Sequence, residues 1–154
     1  MTPHANLHIV RCASHHPDFL RMVRLLDAEL LVRYGAQQAF YAPMNNVEGL
    51  ATAVVVYIAN EPAGCGCFRP MNAQTAELKR MFVQPHARGS LAATRVLTEL
   101  ERWATELGFR EMLLETGNRQ PEAIRFYQRM GYEQIPNFGK YADDPNSVCM
   151  RKIL

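Results

Sequence analysis

Glu77-Leu78-Lys79-Arg80-Met81-Phe82-Val83-Gln84-Pro85-His86-Ala87-Arg88-Gly89-Ser90-Leu91-Ala92-Ala93-Thr94-Arg95-Val96-Leu97 reads as a strand, a short basic turn and the opening of an amphipathic helix. The turn is built on Arg88-Gly89, and the first helical turn after it holds small residues apart from Leu91. A helix N-terminus has unpaired backbone N–H groups and about +0.5 of an elementary charge, so this turn can hold a phosphate. The plainer alternative is an ordinary helix start after a strand. The small residues through Ala93 and Thr94 favour the phosphate.

Outward from this stretch, the strand extends back to Thr75 and ends before Pro85. The helix continues through Leu97, Leu100, Trp103, Ala104 and Leu107 and closes at Gly108. Upstream, Thr52 to Ala59 is a β-branched strand, Asn60-Glu61 a tight turn, and Ala63 to Phe68 its hairpin partner. Further back lie a first strand from Leu7 to Cys12 and a helix from Pro17 to about Tyr34, with Ser14 as its expected cap and Gly35 as its stop. Residues 36–49 lack a clean period and read as a loop with one helical turn. Downstream come a strand from Glu111 to Thr116, a helix from Pro121 to Met130, and strand candidates at Tyr132 to Ile135 and Ser147 to Lys152. This order predicts one α/β sandwich (an α+β arrangement) rather than a doubly wound sheet.

With 154 residues, 48% of them hydrophobic, the chain suits a single domain over residues 1–154. A net charge of +2 gives no basic surface for nucleic acid and no polybasic run for a membrane. The N-terminus is polar, so no signal peptide is expected, and no apolar run approaches the roughly 18–20 residues of a membrane span. The cytoplasm is the expected location. Cys12, Cys65, Cys67 and Cys149 show no zinc spacing and are expected as free thiols. Histidines 4, 8, 15, 16 and 86 show no metal spacing either; His15, His16 and His86 are expected in solvent, and Trp103 in the core.

Three signatures, in this order, resemble the GNAT superfamily of acetyl-CoA-dependent N-acetyltransferases. A strand ending Met81-Phe82-Val83 precedes Arg88-Gly89-Ser90-Leu91-Ala92-Ala93, similar to that family's [Gln/Arg]-x-x-Gly-x-[Gly/Ala] turn. Ala123-Ile124-Arg125-Phe126-Tyr127-Gln128-Arg129-Met130-Gly131-Tyr132 resembles Ala-x-x-Phe-Tyr-x-x-x-Gly-Phe. The element order is the third. Glu77-Leu78-Lys79-Arg80-Met81, Leu114-Glu115-Thr116-Gly117, Gln120-Pro121-Glu122-Ala123-Ile124 and Ser147-Val148-Cys149 further resemble a widespread bacterial subgroup. Two positions depart from the pattern. Leu91 stands at the turn's central glycine and is expected to fit by turning its side chain toward the core. Gln120 stands where many relatives carry asparagine near the pantetheine arm.

The resemblance implies a mixed, mostly antiparallel sheet of six or seven strands with helices on both faces. It implies acetyl-CoA as co-substrate, no metal, and an amine acceptor that is a small molecule or amino-acid-like. A protein N-terminus or lysine is the alternative acceptor, and an inactive acyl-CoA-binding sensor or assembly module the alternative function. A homodimer is compatible, since these are common in the superfamily. The backbone of Met81, Phe82 and Val83 would pair with the pantetheine arm, and that of Arg88, Gly89, Ser90, Leu91, Ala92, Ala93 and Thr94 would hold the pyrophosphate, with Gln120 beside the arm.

An amine with a pKa near 10.4 must lose a proton before it attacks the thioester, at a cost of roughly 4–5 kcal/mol at pH 7. Glu77 is the candidate base; the alternative is an ion pair with Lys79 or Arg80. Tyr127 is the candidate acid for the departing thiolate; the alternative is a core tyrosine. The acceptor is expected between Tyr34, Tyr41, Asn45 and Asn46 on one side and the loop 137–145 on the other. Phe138, Tyr141, Asp143 and Asp144 lie in that loop.

Overall fold

The β-branched run in the middle of the chain forms the strand Ala53–Ile58, whose first four residues are buried. Ala59 and Asn60 then take positive φ values of 50° and 67° and send the chain straight back as a hairpin. The computed structural model describes residues 6–154; the readings on residues 1–5, His4 among them, lie outside the described residues. In chain order the elements are β1 (Leu7–Cys12), α1 (Pro17–Tyr34), α2 (Gln38–Tyr41), β2 (Ala53–Ile58), β3 (Glu61–Pro70), β4 (Thr75–Val83), α3 (Ala92–Glu106), β5 (Glu111–Gly117), α4 (Pro121–Arg129), β6 (Glu133–Ile135) and β7 (Ser147–Ile153).

The strands form one seven-stranded sheet in the order β1-β2-β3-β4-β5-β7-β6. The β4–β5 pair is parallel and the other pairs are antiparallel. Side chains alternate across a strand, and here the alternation sorts two cores. Ala53, Val55, Cys65, Cys67 and Phe82 meet Phe19, Met22 and Leu26 of α1. Val54, Val56, Phe68, Leu114 and Met150 meet Val96, Leu97 and Leu100 of α3 and Tyr127 of α4. Burying a side chain as large as Phe19 or Leu97 contributes roughly 1.5–3 kcal/mol. The sandwich with helices on both faces is therefore the observed architecture.

Three local expectations change. The cap of α1 is His16, whose Nδ1 accepts from the Asp18 N–H at 3.1 Å, so His16 is engaged rather than solvated. Ser14 lies two residues too early to cap, and its Oγ accepts instead from the Leu50 N–H at 3.1 Å. Residues 36–49 are more helical than their pattern, with 3-10 turns at Gly35–Gln37 and Ala42–Asn45 flanking α2. Those turns bury no residue fully, so no period marks them. His86 is exposed and Trp103 packs edge-on against Phe68, as expected.

Candidate active site

The site starts from a break in the sheet. β4 and β5 pair at Thr75–Glu111, Ala76–Met112 and Glu77–Leu113, and not beyond. On its other edge, β4 carries a bulge: Cys65 faces Phe82 and Cys67 faces Lys79, so Arg80 and Met81 share the single position opposite Gly66. A bulge bends its strand and sharpens the twist. Arg80 takes φ +59° there, and its guanidinium reaches under α1 to Asp27 and to the Val23 carbonyl. Two carbonyls at the bulge are met by thiols, Cys65 Sγ donating to Arg80 O at 3.3 Å and Cys67 Sγ to Lys79 O at 3.4 Å. β4 therefore leans away from β5. Its edge from Leu78 onward has no strand partner.

The gap opens through the sheet into a cleft of about 810 Å³, open mouth included. Met81 lines it on β4, Glu115 and Gly117 on β5, Gln120 and Tyr127 at α4, and Tyr34 on α1. Phe82 and Val83 continue the unpartnered edge with their side chains buried in opposite cores.

The basic turn lies beyond the end of β4. Gly89 adopts φ +84°, a left-handed conformation that glycine reaches without a Cβ penalty. Ser90 Oγ accepts from the Ala92 N–H at 3.2 Å. Among the described residues, the N–H groups of Gly89, Leu91, Ala93 and Thr94 have no intramolecular acceptor. These are the orphan donors of a helix start, gathered at one point. Arg88 lies beside them, its Nε on Val83 O at 3.0 Å and its Nη2 on Glu29 at 2.7 Å. Leu91 does not turn inward: its side chain is 42% exposed. It precedes Ala92, the first residue of α3, and so stands outside the face that packs on the sheet.

Tyr127 is buried in the α3-side core, yet it lines the cleft. Its hydroxyl has no hydrogen-bond partner among the described residues, and burial raises its pKa above the ordinary phenol value. Glu77 is 2% exposed and ion-paired on both sides, to Arg69 Nε at 2.8 Å and to Lys79 Nζ at 3.1 Å. It lies behind Lys79, which lines the cleft while Glu77 does not. The carboxylate in the wall is Glu115. Burial raises its pKa, Ser147 Oγ donates to it at 2.6 Å, and Lys79 pulls the other way. Glu115 went unassigned in the sequence, although its string Leu114-Glu115-Thr116-Gly117 was part of the resemblance.

Around the acceptor side, Tyr34 and Tyr41 line the cleft with Asn45, while Asn46 lies outside it and turns its Oδ1 back to the Glu48 N–H. Tyr141 Oη accepts from Lys79 Nζ at 2.9 Å and Phe138 packs edge-on against Tyr141, but neither aromatic lines the cleft. Tyr41 donates to Asp144 at 2.6 Å, joining α2 to the late loop. The end of α1 is laced to the loop before α4. Arg33 and Arg119 donate to each other's carbonyls at 3.1 and 3.2 Å, and Arg33 pairs with Glu122 at 2.6 Å. Gln120 Oε1 accepts from Thr116 Oγ1 at 3.2 Å, while its Nε2 has no partner among the described residues. No group of three or more His, Cys, Asp or Glu able to hold a metal is found among the described residues. No helix there is long and apolar enough to cross a membrane.

The acetyltransferase (GNAT) family profile matches residues 19–132, from within α1 to the residue before β6. The chain belongs to the GNAT family. An IAA acetyltransferase of Azospirillum brasilense is 40% identical over 92 residues, which span 59% of this chain and 60% of that protein. The structure of a protein assigned as an acyl-CoA N-acyltransferase from Klebsiella pneumoniae superposes with a TM-score of 0.80 at 29% identity, covering 96% of this chain and 97% of its own. A GNAT family acetyltransferase of Elizabethkingia anophelis, solved with acetyl-CoA bound, shares the fold at a TM-score of 0.72 and 15% identity over 97% of this chain and 99% of its own. In this chain β4 and β5 part after Glu77–Leu113, and the cluster of free N–H groups lies beyond the end of β4.

Proposed function

We propose that this GNAT chain transfers an acetyl group from acetyl-CoA to the amine of a small-molecule acceptor. The observation that carries the reading is an unpartnered β4 edge followed, beyond the end of the same strand, by the unpaired N–H groups of Gly89, Leu91, Ala93 and Thr94. A pantetheine arm has amides that can extend a strand edge, and a pyrophosphate suits clustered N–H donors. Gln120 Nε2 supplies a further free donor beside the arm. Arg88, held by Glu29 in this state, adds charge next to the phosphates.

Direct transfer moves protons at two steps. The ammonium first gives one proton to a carboxylate; the neutral nitrogen then bonds to the thioester carbonyl carbon, and as the C–S bond breaks the thiolate sulfur takes a proton from a donor that the nitrogen's second proton restores. For the second step the donor is Tyr127, whose hydroxyl is otherwise unengaged. For the first we favour Glu115 over Glu77. Glu115 lines the cleft and its raised pKa favours proton uptake, whereas Glu77 lies outside the lining with its carboxylate engaged by Arg69 and Lys79. Glu77 then serves by fixing Lys79 in the wall.

Calorimetry with acetyl-CoA followed by thiol release over a panel of amines tests the reading. Submicromolar to micromolar binding with turnover on an amine is expected. Glu115→Gln should remove the acidic limb of the pH–rate profile and Glu77→Gln should keep it; the reverse would return the base to Glu77. Binding without turnover on any acceptor would favour an acyl-CoA sensor. Absence of binding would refute the function altogether.

A further inference from the structure

The charges around the cleft narrow the acceptor, provided the acetyltransferase reading holds. Three charged residues line it: Lys79, Arg80 and Glu115. Lys79 has no donor to spare. Its Nζ reaches Met44 O at 2.8 Å, Tyr141 Oη at 2.9 Å and Glu77 at 3.1 Å, which uses all three N–H bonds. Arg80 is turned beneath α1 and neutralised by Asp27. Arg69 pairs with Glu77 from the solvent side and does not line the cleft.

Glu115 differs from both cations. Its one hydrogen-bond donor is the Ser147 hydroxyl, on Oε2, and no ion pair reaches it among the described residues. Arg80 Nε is buried without a hydrogen-bond partner, but each cation of the cleft wall has its counter-ion, and among the charged lining residues Glu115 alone makes no ion pair among the described residues. A neighbouring cleft repeats this bias. It meets the first at Tyr41 and is lined by Asp143, Asp144 and Lys140, two acids against one base. Tyr34, whose ring already carries the Arg119 guanidinium at 5.7 Å, and Tyr41, at 6.0 Å centroid separation, add aromatic walls along which the apolar stem of an amine can rest.

We propose that the acceptor is an alkyl- or arylalkylamine with no carboxylate on the carbon that bears the nitrogen. Of the two small acceptor classes, plain amine and amino acid, the cleft fits the first. An ammonium entering it gains Glu115 as its counter-ion and can then yield its proton to the same group. An α-carboxylate would enter within about two bonds of that ammonium, lose its water, meet in the lining only cations that already have counter-ions, and approach Glu115 with like charge.

Matched pairs test this directly: tyramine with tyrosine, histamine with histidine, tryptamine with tryptophan, agmatine with arginine. The readout is kcat/KM from CoA thiol release by the full chain at saturating acetyl-CoA. At least a tenfold preference for the decarboxylated member is expected in every pair that reacts. Gln38 lines the same cleft from α2, and Gln38→Arg supplies the missing cation. That variant should narrow the preference at least threefold while acetyl-CoA binding, by calorimetry, stays within twofold. Amino acids accepted as well as their amines, or an unchanged preference in Gln38→Arg with its fold and cofactor binding intact, would overturn the proposal. So would acetyl-CoA binding without turnover of any of the eight compounds. Loss of acetyl-CoA binding in the unaltered protein would instead strike the acetyltransferase reading beneath it.

Discussion

A single methyl group at Gly117 should disrupt the wall of the cleft. A Cβ built there lies 1.7 Å from the Tyr34 hydroxyl oxygen and 2.6 Å from its Cζ, well inside van der Waals contact. Gly117 pairs with Ser147 in the β5–β7 ladder, so the strand cannot easily retreat and the ring must. Tyr34 is 7% exposed, meets Gln120 Oε1 at 3.4 Å and lies under the Arg119 guanidinium at 5.7 Å. Displacing it loosens the end of α1 from the loop before α4. Overpacking of this kind costs about 1–3 kcal/mol. Against it, alanine for glycine restricts the unfolded chain and returns about 0.4–1 kcal/mol. Gly117→Ala is therefore expected to lower stability by about 1–2 kcal/mol and to weaken acetyl-CoA binding. The decisive assay is a double-mutant cycle with Tyr34→Ala, by urea unfolding followed with circular dichroism. With the ring gone, the added methyl should be neutral or slightly stabilising, a coupling of at least about 1 kcal/mol. An equal cost in both backgrounds would refute the argument that Tyr34 dictates glycine at this position.

Tyr127→Phe keeps the ring in the core and removes the proposed proton donor, so turnover should fall by about 10²-fold with acetyl-CoA affinity within twofold; unchanged turnover would take Tyr127 out of the mechanism. Burial raises the Glu115 pKa from an ordinary value of 4.5, so the folded state holds this proton more tightly than the unfolded chain. The resulting stability is fully present below pH 4.5 and is lost as pH rises through the folded-state pKa. Glu115→Gln should thus gain stability over the unaltered protein as pH rises from 4.5 to 8, and urea midpoints with a constant gap would contradict this. Burial pushes Cys12 to about 11 and Cys67 to about 12, and also raises Cys65 and Cys149. Native protein should therefore leave Ellman's reagent almost unreacted over minutes at pH 7.5, against four thiols per chain when denatured; a fast native thiol would mark a more open core.

Much of this fold is legible in the sequence because its strands carry their own signal. Val54-Val55-Val56 announces a strand by composition, Pro85 bounds the strand before it, and Gly35 and Gly108 punctuate helices where the chain does turn. The turn at Arg88-Gly89 is legible for the same local reason: a glycine at φ +84° followed by small residues at a helix start. Residue roles that depend on register are harder to read. Glu77 has the spacing of a base, but Arg69 stands directly opposite it across β3–β4 and takes one side of its carboxylate. That partner was within reach, since a four-residue connection at Met71 to Gln74 brings Arg69 back onto Glu77. Glu115 was not within reach. Its exposure to the cleft follows from the parallel register Glu77–Leu113 and from the parting of the strands just beyond it.

The parting itself depends on a residue that no pattern flags. Arginine at a positive φ is uncommon, and a backbone held in a sparsely populated region costs of order 1–3 kcal/mol. Arg80 is held there by Asp27 and Val23 of α1, and the carbonyls around the bulge are met by Cys65 and Cys67, in the core that α1 covers. The contacts that compensate the bulge are thus the contacts that seat α1. If α1 shifted, Arg80 would lose its counter-ion and β4 its reason to bend. If β4 straightened, the cleft would close against β5. The position of the helix over the acceptor side and the opening of the strand edge to the pantetheine arm are coupled through this one side chain, so variants at Asp27 should alter cofactor and acceptor binding together rather than separately.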